Sequence, residues 1–218
     1  PLAAGNFFIS CIVTDGKGGV AVDSIGIEVR DFSQSQTGQL VAHYPFTGNA
    51  VDSSGTGNDG TIHGATLVAD RFGNAGSAYL FDGTTNNIQV PNSSSLNFQQ
   101  SITLNFWINI GAFFTREQYP LSHGNYQNRW KVSISEKHLR WTVKTTTGIK
   151  DLDSETELVA SRWYNATVVY SGADVEIYLG KNLDAFTTWS GSILSTNIDL
   201  TIGQASPTES GYNFQGIL

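Results

Sequence analysis

Apolar residues in this chain come in short stretches that alternate one by one with polar residues, and each stretch is soon cut off by Gly, Asn, Asp, Ser or Thr. A period of two is that of a β-strand with one buried face. In 102–110, Ile102, Leu104, Phe106 and Ile108 share one face, and Thr103, Asn105, Trp107 and Asn109 the other. Leu139, Trp141 and Val143 likewise oppose His138, Arg140, Thr142 and Lys144, and Val175, Ile177 and Leu179 oppose Asp174, Glu176 and Tyr178. One face of each strand is core; the other is solvated or faces a ligand. No window holds an apolar stripe at i, i+3, i+4 and i+7 with caps, so no more than a turn or two of helix is expected. The predicted strands are 40–45, 61–67, 78–81, 88–90, 101–110, 130–135, 139–144, 163–170, 174–179 and 200–202. That many short strands without helices predicts an all-β, two-sheet antiparallel sandwich.

Charge and aromatic content narrow the function classes. The 218 residues hold 12 Lys+Arg against 19 Asp+Glu, a net charge of −7, with 5 Trp, 8 Tyr and 12 Phe to fill a core. No basic run exceeds Arg129 and Lys131 around Trp130, so neither nucleic acid nor anionic lipid has a footprint to bind. The longest apolar runs, 7–13 and 102–110, are interrupted and fall well short of the roughly 20 residues of a spanning helix, so no membrane insertion is expected. Cys11 has no partner for an internal disulfide, and no Cys/His set has zinc spacing. The chain opens on Pro1-Leu2-Ala3 without a signal-type segment, which reads as a piece of a longer precursor.

Residues 6–30 read as one hairpin, with Asp15-Gly16-Lys17-Gly18-Gly19 supplying the positive φ angles of its turn. GNFFISCIVTDGKGGVAVDSIGIEVRD resembles the last two strands of bacterial Ig-like domains of the polycystic-kidney-disease and cadherin-like type. The expected organisation is therefore an Ig-like remnant over 1–31, a polar linker over 32–38 and a second domain over 39–218.

In that second domain LVAHYPFTGNAVDSSGTGNDGTIHGA, DRFGNAGSAYLFDGTTNNIQVPNSSSLNF, SITLNFWINI, SRWYNATVVYSGADVEIYLGK and LTIGQ follow one another. Their order resembles the laminin-G-like branch of the concanavalin A-like lectin/glucanase jelly rolls. The resemblance implies a concanavalin A-like jelly-roll β-sandwich. Members of that branch continue past the F-x-G formed here by Phe214-Gln215-Gly216 into a further strand, whereas this chain stops at Leu218. The expectation is a domain lacking its last strand, with an open sheet edge beside 40–44.

Three segments have the residue types of a site. In 49–60, two carboxylates, two amides and three glycines share one loop, and calcium takes six to eight hard oxygens, backbone carbonyls among them. The resemblance implies a structural calcium there, with Asp52, Asn49 and Asn58 as ligands; the alternative is an Asx-turn loop whose side chains satisfy their own backbone. In 115–130, a polar, aromatic stretch combines the flat rings, amides and guanidinium that hold sugars. His123, Asn125, Tyr126 and Arg129 are its candidate ligand-binding residues. Trp130 is either a stacking platform or the first core residue of its strand, and the whole stretch is otherwise a surface connection. Asp151, Asp153, Glu155 and Glu157 alternate as glucanase acids do, but Ser154 and Thr156 stand where that pattern sets apolar residues, so a solvated edge or loop is expected.

These readings converge on a non-catalytic carbohydrate-binding or adhesion module, secreted or at the cell surface, within a bacterial multidomain protein. Its partners would be a glycan or an extracellular protein, beside neighbouring domains of the same polypeptide. The alternatives are a glycoside hydrolase or lyase domain of the same superfamily, or a structural spacer that binds protein.

Overall fold

The computed structural model describes residues 5–14, 20–29 and 38–218, with side chains from residue 38 onward. The chain divides into two units, 1–40 and 41–218. In the first, β1 (Gly5–Thr14) pairs antiparallel with β2 (Val20–Val29), from Gly5 opposite Val29 to Thr14 opposite Val20. The turn expected at 15–19 and all but the last residue of the linker expected at 32–38 lie outside the described residues.

The second unit contains β3 (Thr61–His63), β4 (Thr66–Val68), β5 (Ala78–Asp82), β6 (Asn87–Val90), β7 (Ile102–Ile110), β8 (Gln118–His123) and β9 (Trp130–Ser135). It continues through β10 (His138–Thr145), β11 (Gly148–Asp153), β12 (Trp163–Tyr170), β13 (Asp174–Leu179), β14 (Asn182–Thr188), β15 (Leu200–Ile202) and β16 (Gln215–Ile217). A single helical turn, α1 (Asn125–Asn128), and a 3-10 turn at Ser94–Leu96 are the helical elements among the described residues. Two seven-stranded antiparallel sheets result, ordered β11-β10-β9-β8-β15-β6-β3 and β14-β13-β12-β7-β16-β5-β4. They form the expected sandwich.

Alternation decides what each sheet shows to the other. Trp141, Leu139, Val132 and Ile88 of the first sheet and Ile108, Val168, Ile177 and Phe81 of the second are buried in one core. Thr103, Asn105 and Trp107 point away from it, as their period requires.

Four departures from the sequence reading have local causes. Residues 40–45 form no strand, because loop side chains occupy the backbone that a neighbouring strand would need: Val41 O accepts from Thr56 Oγ1 and Asn58 Nδ2, and the His43 N–H donates to Asp52 Oδ1. The last residues add a strand that the sequence did not predict, β16, which lies between β5 and β7. The single strand expected over 61–67 is two, one in each sheet, broken at Gly64 with φ 75°, where a Cβ would lie 2.4 Å from Asn86 Oδ1. The stretch 115–130 is not one long loop: it contains β8, with Pro120 where the register against β9 shifts between Gln118 and Leu121. A bulge is where a strand tolerates proline.

Candidate functional site

Arg129 is fully buried, with no carboxylate among its hydrogen-bond partners. Its Nη2 donates to Leu96 O at 2.8 Å and Phe98 O at 2.7 Å, its Nη1 to Leu194 O, and its Nε to His123 Nδ1 at 3.1 Å. Since Nδ1 accepts, the ring proton of His123 sits on Nε2, which donates to Asn92 Oδ1 at 3.1 Å. Burial, and after it the Arg129 charge, push the His123 imidazole down to about 3, and burial lowers Arg129 to about 10. Trp130 is buried beside them, its ring edge-on to His123 at 5.8 Å, with no partner for its indole N–H among the described residues. Asn125 is buried too, its amide donating to both Glu209 carboxylate oxygens at 3.2 Å. Of the five candidate sugar ligands only Tyr126, 41% exposed, reaches the surface. The chain thus brings His123, Arg129 and Trp130 together, but inside the sandwich.

The loop 49–60 is organised by hydrogen bonds. Asp52 Oδ1 accepts the N–H groups of His43 (2.9 Å) and Ser54 (2.8 Å). Its Oδ2 accepts the Ser54 and Thr56 hydroxyls and the Asn58 N–H. Burial works against ionisation here, but these bonds outweigh it and hold the carboxyl well below the usual carboxylate range. Asn49 Oδ1 turns back to the Val51 N–H, and Asn58 Oδ1 accepts from Ser93 and Ser95. The side-chain oxygens of Asn49, Asp52 and Asn58 thus each hold donors from the loop or its neighbours, the bonding of a self-satisfied loop. Among the described residues no group of three or more His, Cys, Asp and Glu has metal-binding proximity.

The alternating acids divide. Asp151 and Asp153 lie on edge strand β11, whereas Glu155 and Glu157 follow in the connection to β12. Arg140 grips Asp153 through Nε at 2.6 Å and Nη2 at 2.8 Å and reaches Glu117 at 2.8 Å, while Thr142 donates to Asp151. Lys131, buried, pairs with the same Glu117. The Arg140 hydrogen bonds hold Asp153 below its ordinary range. A glycosidase general acid needs the reverse, a carboxyl raised toward neutrality.

The outer face of the second sheet has a different character. β7 and β12 pair with Asn109 opposite Trp163, Trp107 opposite Asn165, and Asn105 opposite Thr167. Indoles and amides therefore alternate across neighbouring strands. Asn105 Nδ2 donates to Thr167 Oγ1 at 2.7 Å, and the Arg71 guanidinium stacks on the Trp107 ring at 3.9 Å and on Phe72 at 4.0 Å. Trp107 is 37% and Phe72 73% exposed. Beside them lies a groove of about 400 Å³, with Trp107 and Trp163 as flat surfaces and Asn165, Asn182, Asp184 and Arg162 as its polar groups. Planar amides, a carboxylate and a guanidinium set around indoles can take sugar hydroxyls while the rings meet C–H faces. Period two alone marks Trp107, Asn105 and Asn109 as outward-facing, but bringing Arg162, Asn182 and Asp184 beside them takes the strand register.

A laminin-G-type family model, described as the concanavalin A-like lectin/glucanases superfamily, matches residues 82–218. No curated protein matches the chain in sequence. Solved structures share its fold at low identity. The binding domain of Paraclostridial Mosquitocidal Protein 1 superposes with a TM-score of 0.63 at 18% identity, over 77% of this chain and 44% of that one. Domain 4 of AbnA, a GH43 extracellular arabinanase from Geobacillus stearothermophilus solved with arabinotriose, gives 0.63 at 15% identity, over 81% of this chain and 87% of that one. The ligand binding domain of botulinum neurotoxin serotype D, solved with N-acetylneuraminic acid, gives 0.58 at 13% identity, over 77% and 44%. The chain spans less than half of either toxin domain.

Proposed function

The chain belongs to the concanavalin A-like lectin/glucanases superfamily, and from that premise we propose that it is a non-catalytic carbohydrate-binding module of a secreted or cell-surface bacterial protein. The observation that carries the reading is the groove on the second sheet, where Trp107 and Trp163 stand among Asn165, Asn182, Asp184 and Arg162. Three solved neighbours of the same fold support it: two are called binding domains, and two were solved with a sugar bound. The carboxylates of the first sheet support the non-catalytic part, since Glu117 and Asp153 are held by Lys131 and Arg140. Recognition at a shallow, solvent-open groove is weak at one site, and tandem copies raise it by avidity.

A glycan array followed by calorimetry on the strongest hits tests the reading. Trp163→Ala and Trp107→Ala should each weaken binding about tenfold, the equivalent of about 1.4 kcal/mol per stacking ring. Circular dichroism melts of both variants check that the fold survives. An array without hits, or hits indifferent to both substitutions, would overturn the assignment.

A further inference from the structure

We propose that the ligand is one extended, neutral oligosaccharide lying across the strands of the second sheet and filling two grooves, rather than a single terminal sugar in one; this rests on the carbohydrate-binding reading. A second groove of about 430 Å³ opens on the same face, between Leu80, Asn109, Ser161, Gln215 and Ile217. The two grooves adjoin. Asn109 of the second lies directly opposite Trp163 of the first across the β7–β12 pair, and Ser161 of the second precedes Arg162 of the first in the chain. Trp107 and Asn109 stand two residues apart on one strand face, about 7 Å.

From Leu80 on β5 the path crosses β16 at Ile217 and β7 at Asn109 and reaches β12 at Trp163. Three strand spacings of about 4.8 Å make it roughly 14 Å long. That exceeds one sugar ring and suits a chain of several. Its floor changes along the way, from aliphatic and amide groups at Leu80, Ile217 and Asn109 to indoles at Trp163 and Trp107, so successive sugars meet successive surfaces.

Charge selects against acidic sugars. Asp82 borders the second groove; Asp184 and Glu157 border the first, where Arg162 lines the groove, Arg71 stacks on Trp107 beside it and Lys137 lies 3.9 Å from Glu157. Hydrogen bonds from Thr84, Thr85 and Asn86 keep the Asp82 carboxylate ionised. An anionic ligand would therefore meet fixed negative charge at the Asp82 end of the path, where the described lining holds no cation.

Calorimetry with linear arabino-, xylo- and cello-oligosaccharides, from disaccharide to hexasaccharide, and with sialyllactose tests the proposal. Affinity for one neutral series should rise at least tenfold from disaccharide to hexasaccharide, with sialyllactose no better than lactose. Gln215→Ala should remove most of that gain while leaving disaccharide binding unchanged. Length-independent binding that still depends on Trp163 would overturn the two-groove ligand and leave the module reading standing. Preference for sialyllactose would overturn its neutrality, and no binding of any series would overturn both proposals.

Discussion

Arg129 and His123 show how one set of residue types serves two purposes. A guanidinium, an imidazole and an indole close together in sequence match the vocabulary of a sugar site, yet here the cation satisfies three backbone carbonyls that no strand partner reaches. Arg129→Met would strip those buried carbonyls of their donor and should cost about 3 kcal/mol in a urea melt; a loss under about 1 kcal/mol would contradict the strut. His123 gives a second test. Its folded imidazole titrates near 3, against an ordinary value of 6.5, so below pH 6.5 the unfolded chain takes up a proton that the folded chain refuses. Stability should fall as pH drops from 6.5 toward 3, by up to about 1.4 kcal/mol per pH unit. His123→Gln should flatten that slope between pH 6 and 4.5. Residue type was legible in the sequence; burial, which decides the role, depends on the register that turns His123 and Trp130 inward together.

Elements were legible where strand alternation is strong and obscure where it is not. The predicted strands at 130–135, 163–170, 174–179 and 200–202 match β9, β12, β13 and β15 residue for residue. The strands that escaped notice have physical reasons to look like loops: β8 carries Pro120, β11 is a polar edge strand, β14 is an edge strand with Ala185 its one buried residue, and β16 is three residues long. Gly64 separates two strands that a continuous apolar pattern would fuse. Gly64→Ala combines the left-handed backbone cost with a clash on Asn86 and should destabilise by about 2 kcal/mol in chemical denaturation; a neutral result would show that the break does not depend on glycine. The loop 49–60 has the composition of a calcium loop and the bonding of a self-satisfied one. Melting midpoints with EDTA and with millimolar calcium should coincide, while Asp52→Ala should cost about 2 kcal/mol under either condition. A calcium-specific rise lost in Asp52→Ala would show instead that the carboxylate exchanges its donors for a metal.

At the scale of the molecule, a sandwich of two seven-stranded sheets offers two outer faces, and they differ in chemistry. The first sheet presents Glu117, Lys131, Arg140 and Asp153, charges bound to one another; the second presents indoles and amides beside two open grooves. A surface whose charges are already paired gains little by binding sugar hydroxyls, whereas indoles beside an open groove gain apolar burial when a sugar ring covers them. The most direct test of sugar binding on the second face is a titration of the protein, 15N-labelled, with the best neutral oligosaccharide, followed through its 5 tryptophan indole N–H signals. The signals of Trp107 and Trp163 should move with saturation while those of the buried Trp130 and Trp141 stay fixed. Saturable binding that leaves Trp107 and Trp163 unmoved would place the ligand elsewhere and contradict the account.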